Sequence, residues 1–85
     1  MELKLYIVSH SSSSYQVVEN LKKMLNNGAN ISYSLEVINV LERPELAEQD
    51  KVFATPTLIK IFPEPIKRIV GDLSGKEKIF QILGI

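Results

Sequence analysis

A histidine and a run of serines follow the first apolar segment of the chain. The segment LKLYIV, residues 3–8, gives way to SHSSSS, residues 9–14, before a helical pattern begins near Tyr15. A serine beside a histidine could act as a nucleophile with its base, but such a site also needs an orienting group and an oxyanion hole. No third group accompanies His10, so these residues do not predict a hydrolase.

Two non-catalytic roles for the same serines stay open. The first N–H groups of a helix are unpaired and lie at the positive end of its dipole, so a phosphate could bind there with help from the hydroxyls. Alternatively, a hydroxyl among residues 11–14 accepts a hydrogen bond from the first turn and caps the helix. The composition is generic for a cap, and capping is the preferred prediction.

The residue counts exclude several other chemistries. The chain has no cysteine and one histidine, which removes disulfide, dithiol and thiolate-metal chemistry and any multi-histidine metal site. The segment GDLSGKE lacks the spacing of a phosphate-binding loop, because three residues separate Gly71 from Gly75 and Glu77 follows Lys76. We therefore expect no catalytic residue, no cofactor and no metal.

The length of the chain predicts one small domain, residues 1–85. With 45% hydrophobic residues and 10 basic against 10 acidic side chains, the chain has no overall attraction to nucleic acid or to anionic membranes. No apolar run approaches the roughly 20 residues that span a bilayer, and the start is too short for a signal peptide. A cytoplasmic location is expected.

The first half of the chain alternates strand and helix patterns. Residues 3–8 alternate as a strand, and the helix that follows should fade near Gly28, a candidate left-handed stop. Its apolar stripe is Val17, Val18, Leu21, Met24 and Leu25. Residues 33–41 predict a second strand. Pro44 suits the first position of a short helix that ends at Asp50 and Lys51.

The second half predicts two strands and a helix. Residues 55–62 and 66–70 are strands, and Pro63 and Pro65 belong to their connection because proline cannot donate a ladder hydrogen bond. Ser74 and Glu77 have capping-box spacing. The last helix should bury Ile79, Phe80, Ile82 and Leu83.

The resulting order is β-α-β-α-β-β-α. A helical crossover favours a parallel first pair of strands, and the tight last connection favours an antiparallel pair. A mixed four-stranded sheet flanked by helices is the thioredoxin-like arrangement. In such domains a Thr-Pro opening a strand, here Pro56, is where a cis proline occurs; a trans proline at the start of a strand is the alternative.

Three blocks of the sequence resemble the KaiB family of circadian-clock proteins. They are INVLERPELAEQDK, then ATPTL, then PEPIKRIVGDLS, in the family's order and spacing, with LKLYIV at the front. The elbow departs from the family, which has a Gly-Asn-Thr-like turn with a proline where this chain has Ser-His-Ser-Ser.

The resemblance implies a binding protein rather than an enzyme. Proteins of this family bind the ring ATPase and kinase KaiC in a thioredoxin-like conformation, and with it capture KaiA. By carry-over, the KaiC-facing surface would comprise Pro44, Glu45, Glu48, Asp50 and Lys51. The second strand, around Glu36, would be an exposed edge available to KaiA.

The family also has an alternative ground-state fold with a rebuilt second half, in which the protein is a tetramer rather than a monomer. The changing region would begin near residues 51–53, and Gly71 lies within it. Rearranging Pro56, Pro63 and Pro65 would make interconversion slow. The local patterns favour the thioredoxin-like form, because they agree with its element order.

Two other functions stay open. The chain could be a sensory input domain similar to that of the clock-linked histidine kinase SasA. Less in keeping with a cysteine-free sequence, it could be a thioredoxin-fold enzyme that acts on a thiol substrate such as glutathione.

Overall fold

Seven elements form in the predicted order in a computed structural model that describes residues 1–8, 12–28 and 31–85. The strands are β1 (Glu2–Ile7), β2 (Ser34–Asn39), β3 (Thr57–Phe62) and β4 (Lys67–Val70). The helices are α1 (Ser12–Gly28), α2 (Pro44–Gln49) and α3 (Lys76–Leu83). Among the residues that the structure describes, none of the helices has the length and hydropathy of a membrane span.

The four strands make one mixed sheet in the order β2-β1-β3-β4. β1 and β2 are parallel, with Leu5 opposite Val37. β3 runs antiparallel to both β1 and β4. These pairings confirm the parallel first pair and the antiparallel last pair, and the arrangement is thioredoxin-like.

One side of the sheet, called here the α1/α3 face, carries the larger core. Alternation along β1 places Leu3, Leu5 and Ile7 on this side, where they meet buried residues of α1 and α3. The other buried members of this cluster are Leu21, Leu25, Leu58, Ile69, Leu73, Ile79 and Leu83. Burial of so many apolar side chains is the main stabilising term of the domain.

The opposite side of the sheet, the α2 face, carries a smaller cluster. Tyr6, Ile38 and Ile59 point to this side and pack with Ala47 of α2. α2 has six residues, too few for a helix to be stable by itself. It therefore depends on contacts with the sheet.

The predicted capping box at Ser74 and Glu77 is wrong. α3 begins one residue later than that box requires, with Gly75 at the N-cap and no side-chain cap hydrogen bond from the described residues. The Ser74 N–H instead donates to Asp72 Oδ1 at 2.9 Å. Asp72 thus forms a local side-chain turn that competes with the cap.

Two glycines differ in what they allow. Gly28 lies within the bounds of α1 and has no positive φ, so the predicted left-handed stop is wrong. A Cβ at this position would lie 3.2 Å from Phe80 Cε2 of α3, so there is little room for a larger residue. Gly71 has φ +98°, a region that favours glycine. Its N–H donates to the Pro56 carbonyl at 2.9 Å, which joins the end of β4 to the start of β3.

The Thr55–Pro56, Phe62–Pro63 and Glu64–Pro65 peptide bonds are cis.

Most of the serine elbow, including His10, lies outside the described residues, and so do the cap and anion-site predictions made for it. Within the described part, the Ser14 hydroxyl donates to the carbonyl of Val8.

Candidate partner-binding surface

α2 turns one side toward the sheet and the other toward solvent. Ala47 is buried, whereas Pro44, Glu45 and Glu48 are exposed. The Pro44 start matches the prediction, since proline is pre-organised for the first helical position. The structure therefore places these three predicted partner-binding residues together on an accessible surface.

The first turn of α2 carries an exposed ion pair. Arg43 Nε lies 2.6 Å from Glu45 Oε1. The hydrogen bond from Arg43 holds the pKa of Glu45 below its ordinary value, and Glu45 raises the pKa of Arg43. Exposed pairs of this kind contribute little to stability, so both side chains can re-pair with a partner at low cost.

The end of α2 is bound to β1 through the side chain of Asp50. The buried Tyr6 hydroxyl donates to Asp50 Oδ2 and lies 3.1 Å from the Leu46 carbonyl oxygen. Lys4 Nζ lies 3.3 Å from the same carboxylate oxygen. Asp50 is thus engaged by the sheet, whereas the other predicted residues of α2 face solvent.

These contacts shift the ionisation of both partners. Burial raises the pKa of the Tyr6 hydroxyl, and the hydrogen bond to Asp50 raises it further. The hydrogen bond from Tyr6, followed by that from Lys4, lowers the pKa of Asp50. Asp50 is therefore a charged acceptor at neutral pH, and Tyr6 remains a neutral donor.

The backbone after α2 turns sharply at Lys51 and is bound by β4. Lys51 has φ +54°, which is uncommon for a residue with a side chain. Arg68 Nη2 donates to the Asp50 carbonyl at 2.8 Å, and Nη1 donates to the Lys51 carbonyl at 3.2 Å. Neither contact is visible in the sequence pattern.

Phe53 follows this turn and is the most exposed large apolar residue of the surface. It is 92% exposed, and Leu41, on the other side of α2 in the sequence, is 55% exposed. Phe53 borders a shallow apolar cleft with Val8, Val40 and Val52. Phe53 was not predicted as a binding residue, although its position between the end of a helix and the start of a strand, outside either apolar pattern, was a signal.

The predicted exposed edge is present at β2. β2 is the outer strand next to β1, and both Glu36 and Val37 are exposed. An outer strand offers unpaired backbone groups to another strand. Glu36 lies two residues before the buried Ile38 and therefore points to the α2 side of the sheet, so this edge adjoins the α2 surface.

The described residues 1–8, 12–28 and 31–85 contain no group of three His, Cys, Asp or Glu side chains that could hold a metal. The accessible features on the α2 face are an acidic helix, an exposed phenylalanine and an open strand edge. This combination suits protein binding.

Comparison with known proteins decides the family. A KaiB domain model matches residues 4–85. A circadian clock oscillator protein KaiB of Prochlorococcus marinus subsp. pastoris is 49% identical over 77 residues, which cover 91% of this chain and 72% of that protein. The chain belongs to the KaiB family. The resemblance inferred from the sequence blocks is confirmed, and the KaiB family is one of circadian-clock proteins, not a known family of enzymes.

Solved structures agree on the fold. The N-terminal domain of Synechococcus elongatus SasA superposes with a TM-score of 0.79 at 32% identity, covering 98% of this chain and 82% of that one. Thioredoxin 1 of Thermosipho africanus superposes with a TM-score of 0.76 at 21% identity, covering 99% and 91%. The second likeness concerns the fold alone. The thioredoxin-like fold prediction for this KaiB-family chain is confirmed.

Proposed function

We propose that the chain is a non-enzymatic clock protein that binds a KaiC-type ring ATPase in its thioredoxin-like state. The binding surface is the exposed side of α2 with its exit, comprising Pro44, Glu45, Glu48, Lys51 and Phe53. Asp50 contributes by fixing the exit to the sheet.

The exposure of Phe53 is the observation that carries this proposal. A side chain of this size exposed to 92% gains from burial against a partner, and aromatic anchors surrounded by polar groups dominate many interfaces. The acidic residues of α2 favour a partner site that combines an apolar pocket with a basic rim.

Co-elution with a KaiC-type hexamer in its ADP-bound state tests the proposal. We expect the chain to move into the hexamer fraction during size-exclusion chromatography. Failure to co-elute, when backbone chemical shifts show the thioredoxin-like fold, would contradict it.

The second part of the proposal assigns the β2 edge to a KaiA-like protein. Adding a strand to an open edge is a common way to capture a partner segment, and Glu36 is exposed on that edge. Reversing its charge in Glu36→Arg should reduce capture of a KaiA-like protein while leaving the hexamer bound. Equal loss of both partners would contradict two separate regions.

The third part concerns a second fold of the same chain. Support comes from the β3–β4 hairpin, where Phe62, Ile66 and Val70 are exposed by 58%, 61% and 56%. A rebuilt second half in a tetramer would give these side chains a place to be buried. Chemical shifts of Lys67–Val70 and Lys76–Leu83, measured with the oligomeric state, distinguish the folds: a helix in the first segment and a strand in the second mark the alternative.

The likeness to the SasA N-terminal domain supports one further candidate, an input domain of a clock-linked histidine kinase. The two candidates differ in the length of the natural protein. An immunoblot of the source cells should show a band near 9.6 kDa for a separate clock protein. A band of kinase size would favour the input domain.

A further inference from the structure

We propose that Arg68 is a positioning residue that holds the exit of α2 against β4 and so fixes the part of the binding surface that carries Lys51 and Phe53. The inference concerns how this surface is built, and its consequence for binding rests on the function proposed above.

The contact is a fork from one side chain to two consecutive carbonyl groups. The Arg68 nitrogens lie 2.8 Å from the Asp50 oxygen and 3.2 Å from the Lys51 oxygen, across 18 and 17 residues of sequence. A planar guanidinium presents two parallel donors at fixed spacing, whereas a lysine ammonium is a single point. The geometry therefore specifies arginine.

The local hydrogen bonds of the α2 exit engage its N–H groups, whereas Arg68 binds its carbonyl groups. Beyond the six-residue helix, the Asp50, Lys51 and Val52 N–H groups donate back to the Leu46, Glu48 and Ala47 carbonyls at 3.0, 3.1 and 2.8 Å. Lys51 holds a φ of +54°, and a residue in this region persists when its surroundings fix it. The Arg68 fork supplies part of that fixation.

Two strands thus bind the same short segment by different groups. β1 holds the carboxylate of Asp50 through Tyr6 and Lys4, and β4 holds the backbone carbonyls through Arg68. Phe53 leaves this segment two residues after Lys51, so its direction depends on the turn that Arg68 fixes.

Amide hydrogen exchange in the chain alone tests the proposal. Arg68→Gln should speed exchange at the Asp50, Lys51 and Val52 amides by about three- to tenfold, the range expected when solvent-exposed hydrogen bonds of modest total contribution are lost. Amides of the β1–β3 ladder should be unchanged, which separates a positioning role from general destabilisation. Lys67→Gln is the matched control, because Lys67 is the neighbouring exposed cation on the other side of β4.

The conservative variant sharpens the result. Arg68→Lys keeps the charge but not the fork, so we expect it to restore less than half of the lost protection. Exchange at the α2 exit that is unchanged in Arg68→Gln, or changed equally in Lys67→Gln, would overturn the proposal.

A binding measurement then tests the consequence. If the wild-type chain binds a KaiC-type hexamer, Arg68→Gln should weaken binding more than Lys67→Gln does, and equal affinities would overturn this step. If the wild-type chain does not bind, the proposed function fails, while the exchange experiment still decides the role of Arg68.

Discussion

The two faces of the sheet are covered by different means. On the α1/α3 face, two helices of 17 and 8 residues enclose an apolar cluster, and even the buried Lys60 ends on a backbone carbonyl of α3, that of Leu83, at 3.4 Å. On the α2 face, a six-residue helix covers three buried residues of the sheet, Tyr6, Ile38 and Ile59. Tyr6, Lys4 and Arg68 bind the end of this helix through polar contacts.

This difference suggests that the α1/α3 face mainly supplies stability and that the α2 face mainly positions the binding surface. Apolar burial is non-directional and insensitive to single polar contacts, so the larger α1/α3 cluster should contribute most of the stability. Hydrogen bonds are directional, and those on the α2 face fix where a short helix and its exit lie. The comparison predicts that apolar substitutions cost more stability on the α1/α3 face, and that loss of a polar contact on the α2 face also changes where α2 and its exit lie.

The largest expected effect comes from neighbouring residues of β3 that point to opposite faces. Leu58→Ala and Ile59→Ala each remove a buried side chain, at a cost of about 2–5 kcal/mol in the free energy of unfolding. We expect Leu58→Ala to cost more, because two helices enclose its cavity while the smaller α2 cluster can collapse. Denaturant titration measures both, and the reverse order would break the comparison.

The next effect concerns the Tyr6 hydroxyl. Tyr6→Phe keeps the buried ring but removes the donor to Asp50, so we expect a loss of about 1.5–3 kcal/mol, the range for hydrogen bonds to charged groups. Tyr33→Phe is the control, because its hydroxyl donates to Asn26 Oδ1 at 2.8 Å at an exposed position. Equal losses from the two substitutions would show that the Asp50 contact has no special role.

A smaller effect should appear with pH. The pKa of Asp50 is lowered in the folded state by Tyr6 and then Lys4, so its contribution to stability is present above the ordinary carboxyl pKa of about 3.9. It is lost as the pH falls through the lower, folded-state pKa. Between pH 5 and pH 2.5 the wild type should therefore lose more stability than Asp50→Asn. Parallel pH profiles would contradict this.

The smallest effect is expected at the exposed pair of Arg43 and Glu45. Arg43→Ala removes the ion pair, yet the thermal unfolding midpoint should not change measurably, since solvent screens both groups. The same substitution alters the charge of the α2 surface. A clear drop in the midpoint would mean that α2 depends on this pair rather than on its contacts with the sheet.

The apolar pattern accounts for what could be predicted. Alternation in β1 and the helical stripe from Val17 to Leu25 report burial directly, so the elements, their order and the strand pairings follow from the sequence. The capping box failed because Asp72, two residues before Ser74, offered a competing acceptor. Local spacing does not reveal which acceptor an N–H group will use.

The α2 face was less accessible to sequence reasoning. The residues of α2 were found through resemblance to a family rather than through their own chemistry. Tyr6 meets Asp50 across 44 residues, and Arg68 meets it across 18, so both contacts depend on the folded sheet. Phe53 lies outside the apolar patterns of the strands and helices, so those patterns gave no reason to assign it a place in the core.

The affinity of Phe53→Ala for a KaiC-type hexamer tests the central claim most directly. Tyr15→Ala is the matched control, because Tyr15 is an aromatic residue of α1 that is 65% exposed. With both variants as stable as the wild type, we predict that Phe53→Ala binds at least about tenfold more weakly, as for an interface anchor, and that Tyr15→Ala binds normally. Unchanged affinity of Phe53→Ala would contradict the assignment of the α2 surface as the binding site.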